Sequence, residues 1–158
     1  MSHEEDIRQE AIGQFDFLKD TFRVVRPRRL SVEVPREKFS EVFSFLVHRE
    51  NFNILCTITG TDEGDDLGFI YHLAREGGVT LNLRMRAPKS DPVIRTITDV
   101  FPGAEIYERE IVDLFGAKVQ GLRKGNRYPL TDDWPADEYP LRKDWKSSAG
   151  SGTEDLHA

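Results

Sequence analysis

Cysteine is almost missing from this chain, which has one, Cys56, among its 158 residues. A single cysteine excludes an internal disulfide, a cysteine-ligated iron–sulfur cluster and a zinc finger. Because it lies in the alternating run Ile54, Cys56, Ile58, we predict that it packs in the core as a small apolar residue. The scarcity of cysteine also fits a reducing compartment, so we expect the chain in the cytoplasm.

Long apolar runs, a surplus of basic residues and cofactor-binding motifs are absent as well. No segment approaches the ~20 apolar residues that span a bilayer, so membrane association is expected only through partners. The net charge is -6, with 28 acidic against 22 basic residues, which argues against nucleic acid as a partner. The sequence shows no phosphate loop, no spaced set of metal ligands and no nucleophile triad, so no motif points to a catalytic residue, a cofactor or a metal.

Apolar periodicity predicts a two-layer α+β domain over residues 1–127, with a mostly antiparallel or mixed sheet and helices on one face. The predicted helices span 4–18, a segment opened by Pro35, a short stretch after Ser90 and the region around 107–115. The predicted strands are 22–26, 30–34, 54–59, 67–73 and 79–85. In the last strand Leu81, Leu83 and Met85 should face inward. The acidic run from Asp62 to Asp66 is interpreted as a turn.

The segment Tyr107–Gly116 is predicted to form an amphipathic helix of about three turns that ends at Gly116. Its core stripe contains Tyr107, Ile111, Leu114 and Phe115. Its opposite face contains Ile106, Arg109, Glu110 and Asp113, and Arg109 and Asp113 are four residues apart and able to pair. Glu108 lies on the flank of the core stripe, so it should have a fixed partner.

Residues 128–145 have three prolines and no regular period, yet they hold both tryptophans of the chain. Burial of their four large aromatics contributes roughly 20 kcal/mol, whereas ordering the segment costs roughly 27 kcal/mol. We therefore predict an extended C-terminal arm that lies either on the domain's own sheet or on another protein. Residues 146–158, rich in serine and glycine, are predicted to be a disordered tail.

Two motifs at this end of the chain resemble a known family, the 30 kDa subunit of complex I-type NADH:quinone oxidoreductases and its relatives in membrane-bound [NiFe] hydrogenases. The first motif matches at Glu108, Arg109, Glu110, Asp113, Leu114, Phe115 and Gly116. The second matches at Pro140, Leu141, Arg142, Lys143 and Asp144. Many members have Gly-His-Pro shortly after the helix, whereas this chain reads Gly121-Leu122-Arg123. The branch of the family therefore stays open.

The resemblance implies a non-catalytic accessory subunit in the peripheral arm of a complex I-like enzyme, on the cytoplasmic face of the membrane. It would dock on a large hydrogenase-like subunit and an Fe-S subunit, and NADH, quinone and Fe-S centres would belong to those partners. The expected interface residues are Glu108, Arg109, Glu110, Asp113, Trp134, Arg142, Lys143, Asp144 and Trp145. The alternatives are the equivalent subunit of an energy-converting hydrogenase and, in another class, a stand-alone acid/base enzyme. Because Glu108 and Asp113 point about 140° apart on a helix, the spacing argues against the enzyme.

Overall fold

The computed structural model describes residues 3–147. Three α-helices are present within this range: α1 (His3–Gln14), α2 (Phe39–His48) and α3 (Ala104–Phe115). The strands are β1 (Arg23–Arg26), β2 (Arg29–Glu33), β3 (Ile54–Asp62), β4 (Asp66–Arg75), β5 (Val79–Pro88), β6 (Val93–Arg95) and β7 (Lys118–Gln120). Short 3₁₀ turns follow α1 and precede α2.

Five strands form a mixed sheet in the order β1-β2-β5-β4-β3. The β2–β5 pair is parallel, and the other three pairs are antiparallel. Strands β6 and β7 form a separate parallel pair. The predicted two-layer α+β class with a mixed sheet is therefore confirmed.

Tight turns set the register of the hairpins. Gly77 and Gly78 join β4 to β5 with φ values of 85° and 75°, a left-handed conformation that glycine adopts without steric cost. Pro27 and Arg28 join β1 to β2, and Arg28 itself has a φ of 61°. Both turns lie between strands that the sequence predicts.

The core lies between one face of the sheet and the helices. Leu81, Leu83 and Met85 of β5 are buried, as the alternation predicts. Tyr71 of β4 is fully buried against α2, with its ring 4.7 Å from that of Phe39. The opposite face of the sheet carries mostly polar side chains, so the domain has one core face and one open face.

The helix predicted after Ser90 is wrong. Residues Val93–Arg95 form β6, which pairs with β7 far along the chain. The β-branched residues Val93 and Ile94 favour an extended backbone over a helix. Moreover, the backbone that follows is held by the side chain of Glu108, a long-range contact that local periodicity does not reveal.

The predicted burial of Cys56 is also wrong, because its side chain is exposed. The pairing of β3 with β4 shifts between Leu55 and Thr57, so Cys56 is the additional residue of a β-bulge. The core-facing residues of this strand are therefore Leu55 and Ile58, and not the predicted series Ile54, Cys56, Ile58. The side chain of Ile54 is 50% exposed.

Two further predictions concern the ends and the membrane. Within residues 3–147, no helix is both long enough and apolar enough to cross a bilayer. Of the predicted disordered tail, residues 148–158 lie outside the described residues.

Candidate partner-docking site

Helix α3 is fixed on β3 by two apolar side chains. Ile111 and Phe115 are buried, and the Phe115 ring lies directly over Gly60. A Cβ atom at Gly60 would come within 2.7 Å of that ring, so the contact requires glycine in the strand. At its end, α3 closes at Gly116 in the left-handed conformation with a φ of 73°, as predicted. The helix thus has one fixed rotation on the sheet.

Glu108 is fully buried and holds the segment after β6. Its Oε1 accepts a hydrogen bond from the backbone N–H of Ile97 at 2.7 Å, and its Oε2 accepts one from the Thr96 hydroxyl at 2.6 Å. Burial raises the pKa of Glu108, and these two hydrogen bonds act in the opposite direction. The predicted fixed partner is therefore present. Because its side chain faces the interior, Glu108 does not form part of the accessible surface of α3.

Arg109 organises the loop that follows β7. Its guanidinium pairs with Glu105 at 2.7 Å and donates to the carbonyl oxygen of Arg123 at 2.8 Å. Gly125 lies against the same group, where a Cβ atom would come within 2.4 Å of Nη2. Arg109 therefore binds its own chain, and the expected pairing with Asp113 is not formed.

Asp113 instead holds the first part of the arm. It is buried, its Oδ1 lies 3.6 Å from Arg127 Nε, and its Oδ2 accepts a hydrogen bond from the backbone N–H of Leu130 at 3.3 Å. Arg127 also donates to the carbonyl oxygen of Trp134 at 2.8 Å. The arm is therefore connected to α3 from its beginning.

Arg142 closes the carboxyl end of α3. Its Nε donates to the Phe115 carbonyl oxygen at 2.6 Å, and its guanidinium lies 4.5 Å from the centre of the Tyr139 ring. The backbone N–H of Leu141 donates to the Leu114 carbonyl oxygen at 3.1 Å. A cation and a donor at this position satisfy the last carbonyl groups of the helix and oppose its dipole.

Asp62, at the end of β3, holds the far end of the arm. Its Oδ2 accepts a hydrogen bond from the backbone N–H of Lys143 at 2.7 Å and pairs with Lys89 Nζ at 2.8 Å. Its Oδ1 accepts from the Gly64 N–H at 2.9 Å. Although burial on its own raises the pKa of Asp62, the hydrogen bond from Lys89 and those from Gly64 and Lys143 lower it to about 2. The side chain of Asp144 is exposed and lies 3.4 Å from Lys89.

Sequence reasoning placed Asp62 in a turn and missed this role. The residue is 81 positions from Lys143, and it binds a backbone group, which carries no sequence signal. Asp62 is one of four acidic residues in the run 62–66, and nothing in that run identifies the distant partner.

The two tryptophans of the arm stack on each other. The rings of Trp134 and Trp145 have their centres 6.0 Å apart at an angle of 29°. Glu138 holds both indoles, since Trp134 Nε1 donates to its carbonyl oxygen at 2.9 Å and Trp145 Nε1 to its Oε2 at 3.1 Å. The arm thus has a small aromatic core of its own while it rests on α3.

Apolar and charged groups stay exposed on the outer side of this unit. Ile106 of α3 is 49% exposed, and Tyr128 and Leu141 of the arm are 45% and 52% exposed. Helix α3 has five charged side chains, and four of them form a hydrogen bond or an ion pair. Glu110 is the one that forms neither with any residue in 3–147. We call Ile106, Glu110, Tyr128 and Leu141 the docking face. Exposed apolar groups, together with a carboxylate that has no partner among residues 3–147, are typical of a surface that a protein partner covers.

The acidic side chains of α3 have separate environments. Glu108 is sealed inside, Asp113 binds the arm, and Glu110 lies on the outer side. Within the described residues, no three His, Cys, Asp or Glu side chains are grouped to hold a metal ion. The carboxylates of Glu108, Glu110 and Asp113 therefore do not converge on one point.

Comparison with known proteins places this architecture in a family. Residues 32–151 match the family described as the respiratory-chain NADH dehydrogenase, 30 Kd subunit. The chain belongs to this family. The match includes α3, the arm and the strands that position them, so the two sequence motifs and the fold agree.

Members of the family with similar sequences come from different enzymes. The chain is 33% identical to the membrane-bound hydrogenase subunit beta of Pyrococcus furiosus, over 75% of this chain and 70% of that relative. It is 31% identical to a subunit of the F(420)H(2) dehydrogenase of Methanosarcina mazei, over 89% of this chain and 90% of the relative.

A solved structure has the same fold over nearly the whole chain. It is a chain of the membrane-bound sulfane sulfur reductase, an archaeal respiratory membrane complex. The TM-score is 0.81 at 28% identity, and the superposition covers 92% of this chain and 86% of that one. All three similar proteins are subunits of larger complexes, so partner subunits are expected for this chain.

Proposed function

We propose that this chain is a non-catalytic accessory subunit of a complex I-like enzyme, in the peripheral part that lies at the membrane. It docks on a large hydrogenase-like subunit and on a neighbouring Fe-S subunit. Those partners hold the electron donor site, the Fe-S centres and the quinone site. The chain itself reaches the membrane only through them.

The observation that carries this proposal is the construction of the α3–arm unit. Four contacts within the chain hold the arm against α3 and β3: those of Asp113, Leu141, Arg142 and Lys143. Such an arm loses little conformational entropy when a partner binds, because its backbone is already ordered. The docking face then supplies the exposed apolar area and the unpaired carboxylate that a partner covers.

In this proposal the chain has two functional parts. Residues up to 127 supply the rigid α+β support, and residues 128–145 supply the partner-binding arm. Of the interface residues expected from the sequence, Glu110, Lys143 and Asp144 are directed toward a partner in this proposal. Arg109, Asp113 and Arg142 position the surface through contacts with their own chain, and Trp134 and Trp145 form the aromatic core of the arm.

Affinity purification from native membranes tests the proposal. A tagged full-length chain, recovered in mild detergent, should bring along a large hydrogenase-like subunit and an Fe-S subunit, identified by mass spectrometry. Paired CxxC motifs in that large subunit would favour the hydrogenase alternative. Recovery of the chain alone from membranes that retain enzyme activity would contradict it. So would turnover by the purified chain that Glu110→Gln abolishes while the fold is kept.

The same preparation shows which class of enzyme contains the chain. We propose an NADH:quinone oxidoreductase-type complex first and an energy-converting hydrogenase or related dehydrogenase as the alternative, since similar relatives belong to the latter two classes. The recovered complex should reduce a quinone analogue with NADH in the first case. Hydrogen evolution from reduced ferredoxin, or oxidation of F420H2, assigns it to the alternative.

A further inference from the structure

The β1–β2 hairpin concentrates positive charge in a chain whose net charge is -6. Four arginines fall within seven residues: Arg23, Arg26, Arg28 and Arg29. All four are exposed. Across residues 3–147, none of their guanidinium groups forms an ion pair with a carboxylate. An exposed basic cluster that its own chain does not neutralise favours an anionic partner.

The arginines of β5 on the same open face of the sheet differ in this respect. Arg86 pairs with Glu63 at 2.7 Å and with Glu33 at 3.2 Å. Arg84 also pairs with Glu63. At the hairpin, Glu4 accepts a hydrogen bond from the backbone N–H of Arg28 at 2.9 Å, not from its side chain. The arginine side chains without a carboxylate partner are therefore concentrated at the hairpin end of the sheet.

A groove of about 520 Å³ lies on the open face beside this hairpin. Arg26 and Arg29 line the end at the hairpin, Asn82 of β5 and His72 of β4 line the middle, and Thr57 of β3 lines the far end. The residues that line the groove include no aspartate or glutamate. Val25, 63% exposed, adds an apolar surface next to the arginines.

The floor of the groove offers hydrogen-bond donors. His72 Nδ1 lies 2.9 Å from Asn82 Oδ1 and His72 Nε2 lies 2.9 Å from the Thr59 hydroxyl, both within hydrogen-bond distance. The Asn82 amide group therefore uses its oxygen within the network. Its N–H donors have no partner among the residues that the structure describes, and they complement carboxylate or carbonyl oxygens.

We propose that this groove binds an acidic peptide segment of a partner protein. Arg26 and Arg29 pair with its carboxylates, and Val25 contacts an adjacent apolar side chain. The concave shape favours a chain segment over a bilayer, because a flat lipid surface does not follow the floor between the strands. The groove lies on the sheet face opposite α3, so the site is separate from the docking face and does not depend on it.

Fluorescence polarisation with a fluorescein-labelled octapeptide of alternating Glu and Ser tests this proposal on the full-length chain. Arg26→Glu/Arg29→Glu should weaken binding at least tenfold, and a Lys-Ser octapeptide should not bind. The matched control is Arg95→Glu/Lys118→Glu, which changes the net charge equally on the β6–β7 pair and should retain binding. Thermal melting verifies that both variants are folded.

A second measurement needs no variant. Cys56 is exposed, lines the groove and is the single cysteine of the chain. A saturating amount of the Glu-Ser peptide should slow its alkylation by iodoacetamide several-fold. The proposal is overturned by unchanged alkylation, by equal loss of binding in the control variant, or by tighter binding of phosphatidylserine vesicles than of the peptide with the same arginine dependence.

Discussion

Two glutamates of α3 show that surroundings, more than residue type, decide what a side chain does. Glu108 and Glu110 are two positions apart, yet the first is fully buried with two hydrogen bonds and the second lies on the outer side of the helix. A rotation of about 200° between them places Glu108 toward the core and Glu110 toward the outer side of the helix. The motif therefore combines a buried structural residue with a residue that our proposal assigns to partner contact.

Replacement of Glu108 should destabilise the domain, whereas replacement of Glu110 should not. Glu108→Ala leaves the buried Ile97 N–H without its acceptor and removes the acceptor of the Thr96 hydroxyl, at a cost of about 2–4 kcal/mol. Glu110→Ala is the control and should change the free energy of unfolding by less than about 0.5 kcal/mol. Urea denaturation of both variants measures the difference. Equal stabilities would show that Glu108 does not hold the β6 segment.

Gly116 should not tolerate a side chain. It has a φ of 73°, and a Cβ atom there would lie 2.6 Å from the Tyr139 ring and 2.8 Å from Arg142 Nη2. Gly116→Ala should lower the free energy of unfolding by more than about 1 kcal/mol. Gly13→Ala near the end of α1 is the control, since no atom lies within 4 Å of its added Cβ, and it should stabilise the chain slightly. Thermal melting compares the two, and a stable Gly116→Ala variant would contradict the observed closure of α3.

Glu50 should make stability depend on pH between about 4.5 and 7. Burial, together with a hydrogen bond to Glu10, raises its pKa from 4.5 to about 7, although Arg75 lies 3.5 Å away. The folded state therefore binds this proton more tightly than the unfolded state does. The stabilisation is complete below pH 4.5 and is lost as the pH rises through 7.

Glu50→Gln should remove this dependence. The difference in free energy of unfolding between the wild type and the variant should shift in favour of the variant as the pH rises from 4.5 to 7, and then stay constant. Urea denaturation over this range measures it. A difference that does not change with pH would show that Glu50 is ionised in the folded protein.

At the scale of the elements, the arm is an attached segment with definite anchor points. Arg142 contacts the last carbonyl group of α3 through its side chain, whereas Lys143 is held only through its backbone N–H, and its side chain is exposed. The two neighbouring basic residues of the motif therefore have different roles.

Arg142→Ala should loosen the arm without unfolding the domain. The α3 carbonyl group and the Tyr139 ring lose their cation, so limited trypsin digestion should cut within residues 123–143 several-fold faster. Lys143→Ala removes a trypsin site but keeps the anchor, so cleavage at Arg123, Lys124 and Arg127 should stay at the wild-type rate. The melting temperature of both variants should remain within a few degrees of the wild type. Unchanged cleavage of Arg142→Ala would indicate that other contacts hold the arm.

Periodicity in the sequence predicted those elements whose apolar pattern repeats over a few neighbouring residues. These elements are the helices α2 and α3 and the three long strands β3, β4 and β5. Strand β6 could not be predicted in this way, because its partner β7 lies about 25 residues further on and its three residues carry no period. The bulge at Cys56 could not be predicted either, since one inserted residue reverses the alternation that the prediction uses.

At the scale of the whole molecule, the sheet separates two surfaces with different chemistry. One layer holds α3 and the arm, with apolar groups and an unpaired carboxylate outside. The opposite face holds the arginine-lined groove. The composition alone, with its acidic net charge, does not reveal this division, because the basic residues near the groove are hidden in an average over the chain.

The candidate site could be predicted in part. The motifs identified α3 and the arm as candidates, because each motif is contiguous in sequence. The inward direction of Asp113 and the role of Asp62 could not be predicted, since each depends on a residue that the fold brings close from elsewhere in the chain. The contacts of Asp62 and Asp113 hold the arm in place, so these two residues position the docking face and do not belong to it.

Cross-linking mass spectrometry of the purified host complex tests the central claim most directly, because it identifies the face by which the chain docks. Lys124, next to α3, and Lys143, on the arm, should cross-link to the large subunit with an amine-reactive reagent. Lys19 and Lys38 serve as controls on other surfaces and should give few or no cross-links to it. Cross-links to the large subunit from Lys19 and Lys38 alone would contradict the account.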